Sequence, residues 1–530
     1  MKKSLFIGFW LLIAVGIHAA QVLSITNVDT WSASELAAYK GQEVLFPVPV
    51  YVNSNYNGLS VSVRRMMVGT ETCLPGSAEW KSYASRNKAG LFYLNGAGSN
   101  HRLGEVVENL VVKVNSASSV TYISGDWVAN SRQQLSKGPD MSVIDEKGEH
   151  QLLVCAMNLE YYLVSNFGEG YGPDNAKEHE RQRKKVSEAL SKIDADIYGL
   201  VEVQKGSGAL SELAHDLDSL TGRQHKFITA TSTAAGTYTQ SAYIYCTEMV
   251  QQFSPIVEVG GGPADRRFMV EFKEISTGET FIYSINHFKA KSGNGSGKDA
   301  DQHDGQGSFN NTRTIEAQNV ISTGARLSQS YDEPDILAMG DLNSYSMEDP
   351  VRLFTDNGWT NLHKYFHNNA GYTYLFGGEA GILDHALVTP TMLPQVTGVL
   401  AYHINSDEDD RYTYDKSSDI TMFRSSDHDP VLVGLRLSQE AALNEVYLNN
   451  ETVYFDGKDI IVYNACPTAN QRSFYIIYSL NGQVIQRGDI TTDAYVIKSP
   501  LYDGRPTPPG LYIIQVYANN KVHNFKIIVE

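Results

Sequence analysis

The chain has 530 residues, of which 42% are hydrophobic and 19% are charged, and its formal net charge is −17. A chain of this length is too long to fold around a single hydrophobic core, so two to four domains are expected. The acidity argues against a protein that coats nucleic acid, because such binding neutralises phosphates with Lys and Arg. An enzyme that turns over nucleic acid stays possible, since a bound cation supplies local positive charge.

The N-terminus has the pattern of an export signal. Two lysines precede an apolar run from Ser4 to Ile17, and small residues follow at Ala19 and Ala20. The run is shorter than the roughly 20 residues that span a bilayer. We therefore predict a signal peptide over residues 1–20 and a secreted protein, extracellular or attached to the outer cell surface, with a membrane anchor as the alternative.

The four cysteines are Cys73, Cys155, Cys246 and Cys466, and their spacing is not that of a metal site. Disulfides are chemically possible in an exported protein. Cys155 and Cys246 lie at the ends of strand-like runs in the same predicted domain, so they are the favoured pair. Buried free thiols are the alternative.

Residues 21–148 form a first compositional region. Apolar and β-branched runs at 43–52, 59–67 and 106–114 are separated by Gly, Asn and Ser turns. No catalytic cluster is present among them. We predict an all-β accessory domain.

Residues 149–437 alternate strand-like runs with helical segments, which predicts layered α with β structure. Strands are predicted at 152–157, 197–203, 242–245, 268–272, 281–285 and 335–339, and helices near 178–193, 210–220 and 312–328. The apolar face of the first helix consists of Val186, Ala189, Leu190 and Ile193. That of the second consists of Leu210, Leu213, Leu217 and Leu220.

After a linker at 438–446, residues 447–530 return to short alternating strands. Asn481-Gly482 is a strong hairpin signal, and the prolines between Pro506 and Gly510 mark a loop before a final hairpin. We predict a small, separate β-sandwich.

Polar residues recur where the apolar strands of the middle region end or begin. They are Asn158, Glu202, His287, Asp341, Asn343, Asp384, Asp427 and His428. Each one alone has an ordinary structural explanation, such as a strand edge, a turn or a rim histidine. Their joint order is what favours an active site.

Phosphodiester hydrolysis requires the chemistry that these residue types supply. A divalent cation prefers hard oxygen ligands, which Glu202, Asp341 and Asp427 offer. A histidine oriented by a carboxylate, here His428 with Asp384, deprotonates water near neutral pH. Mg²⁺ or Mn²⁺ fits such ligands, and Ca²⁺ is a candidate at separate sites.

Six motifs in this order carry a resemblance to a known family. They are "MNLE", "GLVEVQ", "INHFKAKSG", "GDLNSY", "LDHALV" and "SSDHDPV". The middle region resembles the endonuclease/exonuclease/phosphatase superfamily, the group of deoxyribonuclease I. The resemblance implies a two-sheet α/β sandwich with the site at one end of the sheets. The longer motifs "GQGSFNNTRTIEAQNV", "YTYLFGGEAGILDHALV" and "AYHINSDEDD" resemble the ExeM-like bacterial extracellular nucleases.

The resemblance implies roles for the metal and acid–base residues. Glu202 resembles the principal metal ligand, Asp427 a further metal-associated carboxylate, and Asn158 a residue near the metal. His428 resembles the general base, oriented by Asp384.

It also implies a phosphate-binding and substrate-binding set. Asp341 and Asn343 resemble the residues that orient the water and bind phosphate, and His287 resembles a phosphate-contacting histidine. Asn311 and Arg313 are predicted to face the substrate, with a solvated helix face as the alternative for Arg313.

The sequence departs from deoxyribonuclease I in one stretch, "GTYTQSAYIYC". Where that enzyme has a Glu that supports the histidine matching His287, this chain offers Thr239 or Gln240. Cys246 stands where many relatives carry Arg, so one cation that contacts the nucleic-acid backbone is expected to be missing.

The flanking regions carry weaker resemblances. The C-terminal segment is similar to the sorting domains of type IX secretion substrates, which implies the outer-membrane secretion machinery as a partner; an adhesive or carbohydrate-binding module is the alternative. The stretch "AAYKGQEVLFPVPVYV" resembles the OB-like modules that precede such nucleases. Strand-binding candidates there are Tyr51, Tyr56, Arg64 and Arg65, although a structural domain is favoured.

These patterns predict a secreted metal-dependent endonuclease that hydrolyses DNA, with RNA as a second candidate substrate. The first alternative is a phosphatase or lipid phosphodiesterase on the same fold, acting on inositol phosphate or sphingomyelin. No exposed apolar hairpin for a membrane is evident in the sequence, which disfavours sphingomyelin. The second alternative is a catalytically dead binding protein, which the full set of metal and base residues disfavours.

Overall fold

The computed structural model describes residues 20–437, except 56–57, 99–100, 129–138, 231–236, 261–265, 368–370 and 419, and from 452 to 529 the strands with a few adjoining residues. The chain divides into two compact units, 1–437 and 438–530. Several predictions fall outside the described residues: the signal peptide up to residue 19, the linker, Tyr56, Cys466 and the Asn481-Gly482 turn.

The N-terminal region contains a closed barrel. Its strands are β1 (Gln21–Val22), β2 (Glu43–Leu45), β3 (Val50–Ser54), β4 (Ser60–Ser62), β5 (Phe92–Asn95), β6 (Val106–Ser116) and β7 (Ser119–Val128), with helix α1 (Ala78–Gly90) before β5. The strand order is β1-β2-β6-β3-β4-β5-β7, and β6 also pairs with β7, so five strands close on themselves. OB folds use a five-stranded barrel too. Trp31, Phe46 and Phe92 pack in its core, the two phenylalanine rings stacked at 5.3 Å.

Helix α1 departs from the all-β prediction for this region. Its sequence, AEWKSYASRNKAG, has no continuous apolar face, and only Asn87 and Gly90 are buried. The Ser77 hydroxyl caps it by accepting a hydrogen bond of 3.1 Å from the Trp80 N–H. The spacing of apolar residues therefore did not predict this helix, and the capping serine is what marks its start.

Two facing sheets form the middle region. The first contains β8 (Leu152–Tyr162), β9 (Ile197–Gln204), β10 (His225–Ile228), β11 (Thr239–Cys246), β21 (Val396–Ala401) and β22 (Val431–Leu435), in the order β10-β11-β9-β8-β22-β21. The second contains β12 (Val250–Gln252), β13 (Val257–Glu258), β14 (Arg267–Glu274), β15 (Thr280–His287), β16 (Ile336–Asp341), β17 (Thr360–Asn361) and β20 (Asp384–Val388), in the order β12-β14-β15-β16-β20-β17 with β13 on β14. A short hairpin, β18 (Tyr374–Phe376) and β19 (Glu379–Gly381), precedes β20.

Helices cover the outer faces of both sheets. They are α2 (Ala176–Ile193), α3 (Gly208–Thr221), α4 (Asn310–Tyr331) and α5 (Asp349–Asp356), while the short helix α6 (Leu362–His367) contributes Leu362 to the core between the sheets. One core lies between the sheets, a second packs α2 and α3 on the first sheet, and a third packs α4 and α5 on the second. The α/β two-sheet sandwich is confirmed. Leu220 departs from its predicted face, since it is exposed at the end of α3.

The disulfide considered for Cys155 and Cys246 is not formed, and both thiols are buried and free. Cys155 lies on β8 and Cys246 on β11, and β9 runs between those strands. Strands two positions apart are separated by about 10 Å, beyond the roughly 7 Å between Cα atoms that a disulfide spans. The alternative of buried free thiols is the one that the structure has for this pair.

The second unit is a small sandwich. One sheet contains β23 (Thr452–Phe455), β24 (Ile460–Tyr463) and β27 (Ala494–Ile497), and the other contains β25 (Phe474–Ser479), β26 (Val484–Asp489), β30 (Gly510–Ala518) and β31 (Lys521–Val529); β28 (Leu501–Tyr502) and β29 (Arg505–Pro506) pair separately. Val462 and Ile497 from one sheet share a core with Ile477 and Ile514 from the other. Among the helices that the structure describes, none has the length and apolarity to cross a bilayer.

Candidate active site

Three predicted site residues align across the second sheet. In the register of the parallel strands β15 and β16, His287 is opposite Asp341, and Asp341 is opposite Asp384 on the antiparallel β20. The first two residues end their strands, and Asp384 begins its strand. The chain directions therefore bring all three to one edge of the sheet.

The first sheet presents its own polar residues at the same place. Asn158 and Glu202 lie near the carboxyl ends of the parallel strands β8 and β9. The Asn158 Nδ2 donates a hydrogen bond of 3.3 Å to Asp341 Oδ2, and Glu202 Oε1 is 3.5 Å from His287 Nε2. The site is thus formed by residues of both sheets that contact one another.

His428 and Asp384 form a hydrogen-bonded pair. His428 Nδ1 is 2.7 Å from Asp384 Oδ2, and both side chains are almost fully buried. The Tyr374 ring lies 4.5 Å from the imidazole. A carboxylate on Nδ1 leaves Nε2 as the free ring nitrogen, which is the arrangement of an oriented general base.

Asn343 is fixed beside the Asp341 carboxylate. Its backbone N–H donates to Asp341 Oδ1 at 2.8 Å, and its Nδ2 donates to Asp341 Oδ2 at 3.1 Å and to the Phe288 carbonyl at 3.2 Å. Both oxygens of Asp341 are therefore engaged. The prediction that Asp341 and Asn343 act together has a geometric basis, while their chemical roles stay predictions.

Carboxyl groups are crowded at this edge. Burial, reinforced by the carboxylates of Asp427 and Asp341, raises the pKa of Glu202 to about 7. Burial raises the pKa of Asp341 to about 6, although nearby His428 opposes the rise. Burial and the neighbouring Asp427 raise the pKa of Glu160 to about 8. Negative charge is therefore undercompensated by the protein alone.

The two histidines have opposite shifts. Burial disfavours the imidazolium of His428, but the carboxylates of Asp384, Asp427 and Asp341 outweigh burial and raise the pKa of His428 well above its ordinary value. Burial and the cation of Arg266 hold the pKa of His287 well below its ordinary value. His287 is therefore neutral near pH 7, and His428 is charged unless a cation neutralises its neighbours.

Three further residues at the site were not assigned a role from the sequence: Glu160, Arg266 and Arg424. Glu160 stands inside the quoted motif "MNLE", and Asp427 and Arg424 are the neighbours whose charges affect its pKa most. Arg266 Nε donates to the His287 carbonyl at 3.2 Å. Its signal in the sequence was weak, because it lies directly before β14 rather than after a strand.

Several of these residues have left-handed backbone conformations. The φ angles are 50° at Glu160, 60° at Glu202, 46° at Asn343 and 58° at Arg424. Non-glycine residues are uncommon in this region, where each costs of order 1–3 kcal/mol. Surrounding packing holds the strain at these positions, and strained residues of this kind often cluster at active sites.

Two predictions about substrate contacts need correction or stay open. Arg313 is completely buried on α4, and its guanidinium donates to the carbonyls of Gln306, Ser308 and Lys289 at 2.7, 2.8 and 3.2 Å. It therefore neither faces a substrate nor lies on a solvated face. Asn311 is half-buried in the first turn of α4, and its predicted role is not tested.

Other sequence candidates serve the framework. Gln240 donates to the carbonyls of Gln204 and Gly206, so it does not support His287. Arg64 donates to the Val28, Trp31 and Arg86 carbonyls within the barrel region. These donors are used internally, which disfavours Arg64 as a strand-binding residue.

The donor set suits a divalent cation. Ligand atoms of Asp341, Asp384 and His428 lie within 4.8 Å of one another, and all three residues are buried. Glu202 adjoins them and keeps 17% of its side chain accessible. Carboxylate and amide oxygens are ligands for Mg²⁺ and Mn²⁺, and the raised pKa values are those of carboxyls that a cation would stabilise as anions.

Residues 166–428 match the family model described as Endonuclease/Exonuclease/phosphatase family. This domain belongs to that family. The endonuclease/exonuclease/phosphatase domain is therefore a hydrolase of phosphoester bonds, and its family usually uses divalent metal ions. A comparison with curated proteins found no significant match.

Solved structures are similar to this domain at low identity. The human Nocturnin catalytic domain is 13% identical, with a TM-score of 0.38, covering 54% of this chain and 94% of that one. A family protein from Bacteroides thetaiotaomicron is 16% identical, with a TM-score of 0.37, covering 55% and 96%. A mannosyl-6-phosphatase from the same organism is 17% identical, with a TM-score of 0.36, covering 54% and 100%. Each alignment spans nearly all of the other chain and about half of this one.

Proposed function

We propose that the protein is a secreted, divalent-metal-dependent nuclease that hydrolyses phosphodiester bonds of DNA, with RNA as a second candidate substrate. The observation that carries the proposal is the buried His428–Asp384 hydrogen bond of 2.7 Å beside a crowded set of carboxylates. A base and a site for a hard cation at one edge of two sheets are the parts that phosphodiester hydrolysis requires.

In this proposal His428 takes the proton from the attacking water through Nε2. Asp384, bonded to Nδ1, fixes the tautomer and stabilises the imidazolium that forms. The neutral His287 donates to the phosphoryl oxygens as negative charge develops there, and Asn343 holds the Asp341 carboxylate in place. The charge on Arg266, beside His287, adds to this stabilisation.

Glu202, Asp427 and Asn158 would hold the metal ion, together with Asp341 at the same edge. When bound, a Mg²⁺ or Mn²⁺ ion supplies charge neutralisation of the phosphate. The side-chain oxygens of these residues come from both sheets. A rigid framework on two sides therefore fixes where the phosphate lies.

Motif resemblance favours nucleic acid over a phosphomonoester or lipid. "GQGSFNNTRTIEAQNV" and "YTYLFGGEAGILDHALV" are similar to stretches of ExeM-like extracellular nucleases. In this proposal the signal peptide exports the chain, and the C-terminal sandwich then directs its transport across an outer membrane. The enzyme would therefore act outside the cell. Inositol phosphates and sphingomyelin are the alternative substrates.

The test is nicking of circular plasmid DNA by the purified protein, with Mg²⁺, with Mn²⁺ and with excess chelator. His428→Ala is the catalytic variant. His150→Ala is a matched control, because His150 Nδ1 is also 2.7 Å from an aspartate, Asp145, just before β8 at the end of the sheet away from the site. We expect metal-dependent nicking by the wild type and the control, and none by His428→Ala.

Two results would contradict the proposal. Equal nicking by His428→Ala and His150→Ala would remove His428 as the base. Failure of the wild type to cut DNA or RNA with any metal, combined with release of phosphate from inositol phosphates, would replace the nuclease with a phosphatase on the same fold.

A further inference from the structure

Thr373 connects the two chain segments that carry the catalytic pair. Its hydroxyl oxygen accepts hydrogen bonds of 3.0 Å from the N–H groups of Leu383 and Asp384. Its carbonyl accepts a bond of 2.9 Å from the N–H of Asp429, the residue after His428. One residue therefore sets the spacing between the backbones of the base and of its carboxylate.

Aromatic residues on either side of this threonine extend the support. The Tyr374 ring lies 4.5 Å from the His428 imidazole. The Tyr372 ring stacks on His403 at 4.1 Å, and His403 Nδ1 is 2.9 Å from the Asp429 carboxylate. Thr373 and Tyr374 thus contact the catalytic pair or the aspartate that follows it, and Tyr372 reaches that aspartate through His403.

Arginines from the N-terminal region fix this segment through Asp407. The Tyr372 hydroxyl donates to Asp407 Oδ2 at 2.7 Å, and Asp407 is buried. Arg65 lies 3.4 Å from Asp407 and 4.3 Å above the Tyr372 ring, while Arg102 lies 3.5 Å from Asp407. Arg102 also donates to Glu408 at 2.6 Å. A buried carboxylate is stable in this setting because cations and a hydroxyl compensate it.

The N-terminal region also pairs with the β18–β19 hairpin that follows Tyr372 and Thr373. The Val68 N–H donates to the Ala380 carbonyl at 2.8 Å, and the Ala380 N–H donates to the Met66 carbonyl at 2.9 Å. Asn87 Nδ2 donates to Glu379 at 2.6 Å. Backbone pairing of this kind resists sliding, so the hairpin and the segment before it are held in one register.

We propose that the N-terminal barrel region is a positioning element of the active site. Arg65 and Arg102 fix Asp407, Asp407 fixes Tyr372, and the 372–374 segment sets the geometry of His428 and Asp384. Arg65 and Tyr372 are positioning residues, since neither touches the reacting atoms. The inference rests on the proposed function only in taking His428 as the general base.

The first experiment is Tyr372→Phe in the full chain, assayed on bis(para-nitrophenyl) phosphate. The variant removes one hydroxyl and keeps the ring that stacks on His403. Misplacing a base by a fraction of an ångström costs rate rather than binding, so kcat should fall about 10-fold to 100-fold with KM within about twofold. Tyr198→Phe is the control, because the buried Tyr198 hydroxyl bonds Leu190 and Ala195 away from the site.

A double-mutant cycle links the effect to the N-terminal region. Arg65→Met keeps an apolar stem and removes the charge that faces Asp407. If the two residues act through one path, Arg65→Met lowers kcat in the same direction, and the double variant with Tyr372→Phe falls little further than the worse single variant. Multiplying effects, or a loss of melting temperature with kcat unchanged in both variants, would overturn the proposal.

The small diester separates this inference from the nuclease proposal. If the wild type hydrolyses the small diester but leaves DNA and RNA intact, the nuclease proposal is wrong. The double-mutant cycle can still be measured on the diester in that case. If the wild type lacks hydrolysis altogether, the His428 Nδ1 proton in the bond to Asp384 is followed by NMR. Its resonance should move in Tyr372→Phe and stay in Tyr198→Phe, and an unmoved resonance contradicts positioning.

Discussion

Asn158 and Asp341 belong to different sheets, and the Nδ2 of Asn158 donates a hydrogen bond of 3.3 Å to Oδ2 of Asp341. The same oxygen of Asp341 lies 3.7 Å from His287 Nε2. The position of this carboxylate therefore depends on both layers of the sandwich, and a change in either layer should be felt at the site.

Asn158→Ala should lower kcat about 10-fold to 100-fold, because Asp341 loses a donor that orients it. The melting temperature should fall only modestly, since the two hydrogen bonds of the Asn158 side chain, to Asp341 and from the Glu160 N–H, contribute about 1 kcal/mol each. Steady-state hydrolysis and thermal unfolding are measured on the same preparation. Unchanged kcat in the variant would show that the contact between the sheets is incidental.

Glu202→Gln should weaken metal binding while stabilising the metal-free protein at pH 8. The substitution keeps the shape and removes one charge from a site where burial and two neighbouring carboxylates raise the pKa of Glu202 to about 7. Calorimetric titration with Mn²⁺ should show affinity reduced about 10-fold or more. Equal affinity in wild type and variant would exclude Glu202 as a ligand.

Stability of the metal-free protein should fall as the pH rises from 6.5 to 9. Burial raises the pKa of Glu202 to about 7 and that of Glu160 to about 8, so the folded state binds more protons than the unfolded state in this window. The stabilisation is complete below the ordinary carboxyl pKa and is lost as the pH passes these raised values. His428, with its raised pKa, acts in the same direction.

Thermal unfolding in chelator and in saturating Mg²⁺ checks this pH dependence. The fall should be steep in chelator and shallow with Mg²⁺, because a bound cation stabilises the carboxylates as anions. A curve in chelator that rises between pH 6.5 and 9 would contradict the charge crowding.

Arg313→Ala should destabilise the fold by about 3 kcal/mol, because three backbone carbonyls lose a charged donor in a buried setting. Asn311→Ala, two residues earlier on α4, should cost less than about 1 kcal/mol. Chemical denaturation of both variants provides the comparison. If Arg313→Ala left stability intact and raised KM alone, substrate contact would be restored as its role.

Much of the middle domain followed from the sequence. Strands β9, β15 and β16 were predicted to within three residues at each end. Buried strands and amphipathic helices can be predicted in this way because the local spacing of apolar residues indicates them. The site residues were also visible, because polar side chains at the ends of apolar strands meet at one sheet edge. Helix α1 was missed because its apolar residues have no helical spacing.

Tertiary structure alone decided the partners of these residues. Arg313 has the same helical position whether it faces solvent, substrate or core, and only packing placed it inside. The contact of Arg102 with Glu408 joins residues 306 positions apart, and Arg65 likewise reaches Asp407 from the N-terminal region. Local sequence determines which face of an element is apolar and which residues end a strand. Contacts across hundreds of residues depend on how whole layers pack, and no local pattern encodes that.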